Sequence, residues 1–72
     1  MYTREKFARR LKELRLAKKL TISQLANETK IGSSSICRWE NCQADIMVFQ
    51  LITLANYFNV SLEYMVGIDN IR

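Results

Sequence analysis

Residues 20–41, LTISQLANETKIGSSSICRWEN, leave this chain few ways to fold. Two short amphipathic segments flank a tight turn, a unit suited to presenting its second helix to a partner. Thr21 and Gln24 form the pattern Thr-x-x-Gln, in which hydroxyl and side-chain amide can each satisfy an orphan backbone group at a helix start. A helix is therefore expected from Ile22. Leu25 and Thr29 share one face of it at i and i+4, and Ala26, lacking atoms beyond Cβ, lets another helix cross closely. The turn occupies residues 29–32. Gly32 or Ser33 can start the second helix, which turns Ile36 and Trp39 inward and leaves Ser33, Ser34, Cys37 and Arg38 facing out.

The flanks read as helices too. Thr3 can cap a helix of about four turns in which Phe7, Leu11, Leu14 and either Leu16 or Ala17 recur at helical spacing. Arg15 departs from the other charges of that helix by following Leu11 and Leu14 towards the core side. After Asn41 comes a short connection in which the Asp45 carboxylate can cap the next helix. Val48, Leu51, Ile52, Leu54, Ala55 and Phe58 give that helix the most hydrophobic face in the sequence, expected at the centre of the core. Asn59 tolerates the left-handed conformation that ends a helix. Ser61 then opens a short last helix, with Leu62, Met65 and Val66 apolar and Gly67 ending it. Five helices result. Ile68 and Ile71, in the tail 68–72, have no place in a monomer core and suggest a dimer contact, with fraying the alternative.

Seventy-two residues imply one domain, 1–72, that buries only about 60% of its unfolded surface, so stability is expected to be modest without oligomerisation. No run approaches the roughly 18 apolar residues of a membrane span, and the N-terminus lacks a signal-peptide core. A soluble, cytoplasmic protein is expected. Eight basic side chains fall within residues 1–20 against Glu5 and Glu13, a local balance of +6 in a chain of net charge +4. Such an end suits a phosphate backbone or an anionic membrane surface, or simply keeps a helix solvated.

Enzymatic chemistry finds no support. There is no His, the carboxylates are scattered, and no glycine loop could cradle phosphates, so neither a nucleophile with its base nor a metal cage can be assembled. Cys37 and Cys42 alone cannot supply a four-ligand zinc site, and reduced structural thiols are the simpler reading. Neither a metal nor an organic cofactor is expected. Phe7, Trp39, Tyr57, Phe58 and Tyr64 sit at helical spacing, as core aromatics do, rather than as a base-stacking platform.

Ala26, Ile31, Ile36 and the pair Trp39-Glu40 have the spacing of a helix-turn-helix, and the stretch resembles the lambda-repressor-like, Cro-type (XRE) family. RLKELRLAKKLT before it and LITLANYFNVSLEYMVG after it extend the resemblance over about residues 7–67, with the helix-turn-helix at about 22–41. The fold so implied is a compact all-α, five-helix DNA-binding domain. In such a domain the N-terminal end of the second helix faces base edges in the major groove, while the preceding helix crosses the backbone. The resemblance thus implies base contacts from Ser33, Ser34, Cys37 and Arg38. Arg38 is the long donor of the group, able to bind guanine O6 and N7 together or to touch phosphate alone. Thr21, Lys30, Asn41 and Gln43 become backbone contacts, and Arg15 a structural partner of Glu40. Four departures stand out. Ile22 replaces a common Gln that anchors the backbone, Lys30 and Cys42 replace glycines, and Ile46 replaces a proline. Lys30 would cost about 1 kcal/mol if its backbone is left-handed.

The function implied is sequence-specific, double-stranded DNA-binding transcriptional regulation. A stand-alone, Cro-like homodimeric repressor on a two-fold symmetric operator is expected, associated with the nucleoid through DNA, with no membrane or small-molecule partner. The alternative is a protein-interaction module of antitoxin or anti-repressor type, in which the same fold retains only weak DNA specificity.

Overall fold

A computed structural model of the protein describes residues 2–68. Among them run five helices and no strand: α1 (Arg4–Ala17), α2 (Ile22–Thr29), α3 (Ser33–Glu40), α4 (Val48–Phe58) and α5 (Leu62–Met65). Local chemistry explains most of their boundaries. Hydroxyls open three of them: Thr3 Oγ1 accepts from the Lys6 amide (3.1 Å), Thr21 Oγ1 from the Gln24 amide (3.0 Å) and Ser61 Oγ from the Tyr64 amide (3.0 Å). At Thr21 the box is closed, since Gln24 Oε1 accepts from the Thr21 amide at 2.8 Å.

Four helices end alike. A left-handed residue (Lys19, Cys42, Asn59 or Gly67) reverses the chain, and the next amide donates to a carbonyl five residues back. The bonds are Leu20 to Arg15 (3.1 Å), Gln43 to Arg38 (2.8 Å), Val60 to Ala55 (3.0 Å) and Ile68 to Glu63 (3.1 Å). Gly67 is required twice over. Its φ is +80°, and a Cβ there would lie 2.8 Å from the Lys6 Cβ, so its small size lets the end of α5 settle on the first turn of α1.

All five helices meet in one core. Phe7 and Leu11 of α1, Leu25 of α2, Ile36 of α3, Leu54 of α4 and Met65 of α5 are its fully buried side chains. The centre is therefore shared rather than supplied by α4, because Val48 and Ile52, expected on the core face, are turned outward. In α1 the expected Leu16 and Ala17 are exposed and Ala8 is buried instead, since the core-facing stripe of α1 runs through Ala8, Leu11 and Arg15. Asp45 does not cap α4. Its carboxylate is held by Arg4, with Oδ1 2.7 Å from Nε and Oδ2 3.1 Å from Nη2, and Met47 takes the cap position two residues later. Ile68 is about half exposed, and Ile71 lies outside the described residues. Among the described residues no helix is long and apolar enough to cross a membrane.

Candidate nucleic-acid interface

The outward surface of α3 is created by what its inward surface must do. Ile36 and Trp39, three residues apart, are buried, and Trp39 meets Phe7 of α1 with ring centroids 6.3 Å apart. Glu40 adds a polar clamp. Arg15 of α1 donates from Nε to Glu40 Oε2 (2.7 Å), from Nη2 to Oε1 (2.9 Å) and from Nη1 to the Leu20 carbonyl (2.8 Å). The hydrogen bond to Glu40 raises the Arg15 pKa above arginine's ordinary value despite burial, so the charge persists wherever the protein is folded. Held on one side by rings and on the other by this fork, α3 has a fixed roll about its axis.

That roll leaves Ser33, Ser34, Cys37 and Arg38 together on the exposed face. Gly32, at the cap position, has no side chain to accept from the first turn; its carbonyl takes the Ser35 amide at 3.1 Å, and no side-chain cap covers the Ser33 and Ser34 amides beside the two serine hydroxyls. Arg38 makes no ion pair among the described residues. Cys37 has a free thiol, whose Sγ lies 3.4 Å from Asn41 Nδ2.

The expected backbone contacts differ in readiness. Thr21 is exposed, and its Oγ1 accepts from the Gln24 amide, which leaves its own O–H to donate beside the start of α2. Ser23, exposed in that same turn, carries no signal in the sequence pattern and is found only by its position. Lys30 is exposed and left-handed, with φ 62° and ψ 25°. Gln43 projects from the turn after α3, its amide tied to the Arg38 carbonyl. Asn41 is turned back on its own helix, Nδ2 donating to the Cys37 carbonyl at 2.8 Å. A phosphate could claim its amide only by displacing the weak thiol contact.

The basic N-terminal run is not one phosphate-facing strip. Arg4 is paired with Asp45, Arg15 with Glu40, and Arg10 stacks 3.8 Å above the Tyr64 ring while donating to the Tyr64 carbonyl. Arg10 and Arg15 are thus committed within the fold rather than left on a solvated face, while Arg4, about half exposed, is tied to Asp45 at the surface.

The arrangement of helices around α2 and α3 is shared with known proteins. Residues 8–66 match the family described as the helix-turn-helix domain. The chain belongs to that helix-turn-helix family. An uncharacterized HTH-type transcriptional regulator, YobD of Bacillus subtilis (strain 168), is 36% identical over 64 residues, 89% of this chain. The chain spans 57% of that relative's length. Among solved structures, the restriction-modification controller protein C.AhdI from Aeromonas hydrophila superposes with a TM-score of 0.78 at 27% identity, covering 86% of this chain and 94% of the controller. An HTH_3 family transcriptional regulator from Vibrio cholerae shares the fold at the same TM-score and 19% identity, over 86% of this chain and 35% of its own. The resemblance to the Cro-type family stands, with the family match spanning residues 8–66, and the Bacillus relative is an HTH-type transcriptional regulator by name.

Proposed function

We propose that this helix-turn-helix protein is a sequence-specific, double-stranded DNA-binding transcriptional regulator, acting as a homodimeric repressor in the cytoplasm. The observation that carries the reading is the fixed roll of α3, which sets Ser33, Ser34, Cys37 and Arg38 outward together. An α-helix fits the major groove of B-form DNA, and the N-terminal end of the second helix of such a motif meets base edges there. Arg38 binds guanine O6 and N7 with its two-pronged donor. The hydroxyls of Ser33 and Ser34 and the thiol of Cys37 line neighbouring bases with little discrimination. Thr21 donates to a phosphate at the positive end of α2, and Lys30, Gln43 and, after release from Cys37, Asn41 grip the flanking backbone. Specificity then rests heavily on one side chain.

Binding measured across a salt series tests this. Phosphate neutralisation makes log affinity fall linearly with log salt, by roughly 0.9 per phosphate contacted. Arg38→Ala should cost about 1 to 3 kcal/mol at a single base position if the arginine reads a base. A uniform weakening over all sequences assigns it to phosphate instead. Binding that is weak and indifferent to salt would favour the protein-interaction alternative, which the short side chains of α3 would also suit.

A further inference from the structure

The two sides of α4 differ from what a solvent-facing helix requires. Leu54, Ala55 and Phe58 are buried and Leu51 is half-buried, which accounts for one face. On the other face Val48 is 70% exposed, Phe49 62% and Ile52 41%, and Met47 just before them is 59% exposed. Val48 and Ile52 are four apart and Phe49 and Ile52 three apart, so these side chains form one contiguous patch. The outer face of a surface helix ordinarily carries charge. Here residues 46–62 contain no Asp, Glu, Lys or Arg, although a quarter of the chain is charged. Beyond Ile52 the exposed face continues as Thr53 and Asn56, polar but neutral.

Charge decides the occupant. A partner recognised through complementary charge would need a charged rim, and α4 offers none along its length. Two copies of a chain with net charge +4 repel each other in general, but a contact made along α4 brings no charged side chain of that helix into it. A two-fold contact is self-complementary, and an apolar patch of this kind is complementary to itself. Its size fits a modest association. Four largely exposed side chains supply a few hundred Å², short of the roughly 800 Å² per partner of a standard interface.

We propose that the start of α4, formed by Met47, Val48, Phe49 and Ile52, is the surface on which a second copy of this chain docks. The proposal rests on the homodimer reading above and adds its location. Seven residues separate the end of α3 from the start of α4, so the same contact fixes where the two α3 helices stand relative to each other. Operator half-site spacing is thereby set by α4.

Sedimentation equilibrium of the full chain, from roughly 1 µM to several hundred µM, tests the proposal beside Phe49→Glu and Leu62→Glu. Leu62, 40% exposed on α5, serves as an apolar control outside the patch. The wild type should rise with concentration from the 8.4 kDa monomer towards twice that mass. Phe49→Glu, which places two charges in a symmetric contact, should raise the dissociation constant about tenfold or more, and Leu62→Glu should leave it unchanged. Circular dichroism melting of dilute samples should be the same for Phe49→Glu and wild type, since the ring is mostly in solvent. A wild type that stays monomeric, a Phe49→Glu variant that dimerises undiminished, or loss of dimer only in Leu62→Glu would each overturn the proposal. Should Phe49→Glu prove unfolded, Val48→Lys takes its place under the same criteria. Binding to a DNA half-site is scored separately: absence of DNA binding with α4-dependent dimerisation would refute the regulator reading and leave the docking surface intact.

Discussion

Arg15 and Glu40, 25 residues apart in sequence, meet in a two-pronged ion pair whose side chains are only 10% and 5% exposed. It fastens the last turn of α1 to the last turn of α3, so the pose of the candidate recognition helix depends on a contact remote from its outer face. Removing Arg15 leaves a carboxylate with little access to water, a far greater penalty than losing an exposed pair. Arg15→Ala should lower stability by about 3–5 kcal/mol, read from the urea midpoint. A double Arg15→Met, Glu40→Leu variant should recover most of that loss, since no charge is then stranded. A single variant within about 0.5 kcal/mol of wild type would show the pair to be dispensable.

Lys30 ends α2 in the left-handed region, where its Cβ crowds the following carbonyl oxygen. Lys30→Gly should therefore raise stability by about 1 kcal/mol, less the extra freedom glycine gives the unfolded chain. The same change removes a proposed phosphate contact, so DNA affinity should fall as the melting temperature rises. If both fall together, the left-handed strain has been overestimated.

How much of this was legible follows from the range of the forces involved. The starts of α1, α2 and α5 could be read because a hydroxyl and an amide three residues away settle the matter locally. The outward face of α3 was legible because only Ile36 and Trp39 repeat at helical spacing within it. The start of α4 was not. Asp45 has the better capping chemistry, but Arg4, 41 residues away, holds its carboxylate, a tertiary contact invisible to local pattern. The outer face of α4 was obscured for a different reason: a helix apolar on both sides gives no period from which to choose the core side. The inward turn of Asn41 depends on rotamer choice, which spacing does not encode.

Met47 is a poor start for α4. Gln50 Oε1 accepts from its amide at 3.3 Å, but Met47 has no oxygen to accept from the first turn. Met47→Ser should add about 1 kcal/mol, measured by urea unfolding at low concentration so that self-association does not contribute. No gain would mean that water already serves those amides equally well.

The Arg4–Asp45 pair sets an acid-side dependence. The hydrogen bond from Arg4 holds the Asp45 pKa below its ordinary value. A depressed folded pKa means that the pair's stabilisation is complete above the unfolded value of about 3.9 and disappears as pH falls through the lower folded value. Both side chains are about half exposed or more, so the effect is small and weakened by salt. An NMR titration of the Asp45 carboxyl should find its midpoint below about 3.9 and returning upward in Arg4→Gln. An unmoved midpoint would show that the pair does not persist in solution.

The most direct test of the central claim, that α3 reads duplex DNA, is selection of bound sites from random DNA by the full chain near physiological salt, followed by sequencing. The expected result is an enriched palindrome whose half-sites lie about one helical turn apart, with one guanine position lost in Arg38→Ala. A folded protein that enriches nothing over the input pool would contradict base readout by Ser33, Ser34, Cys37 and Arg38, and with it the assignment as a sequence-specific regulator.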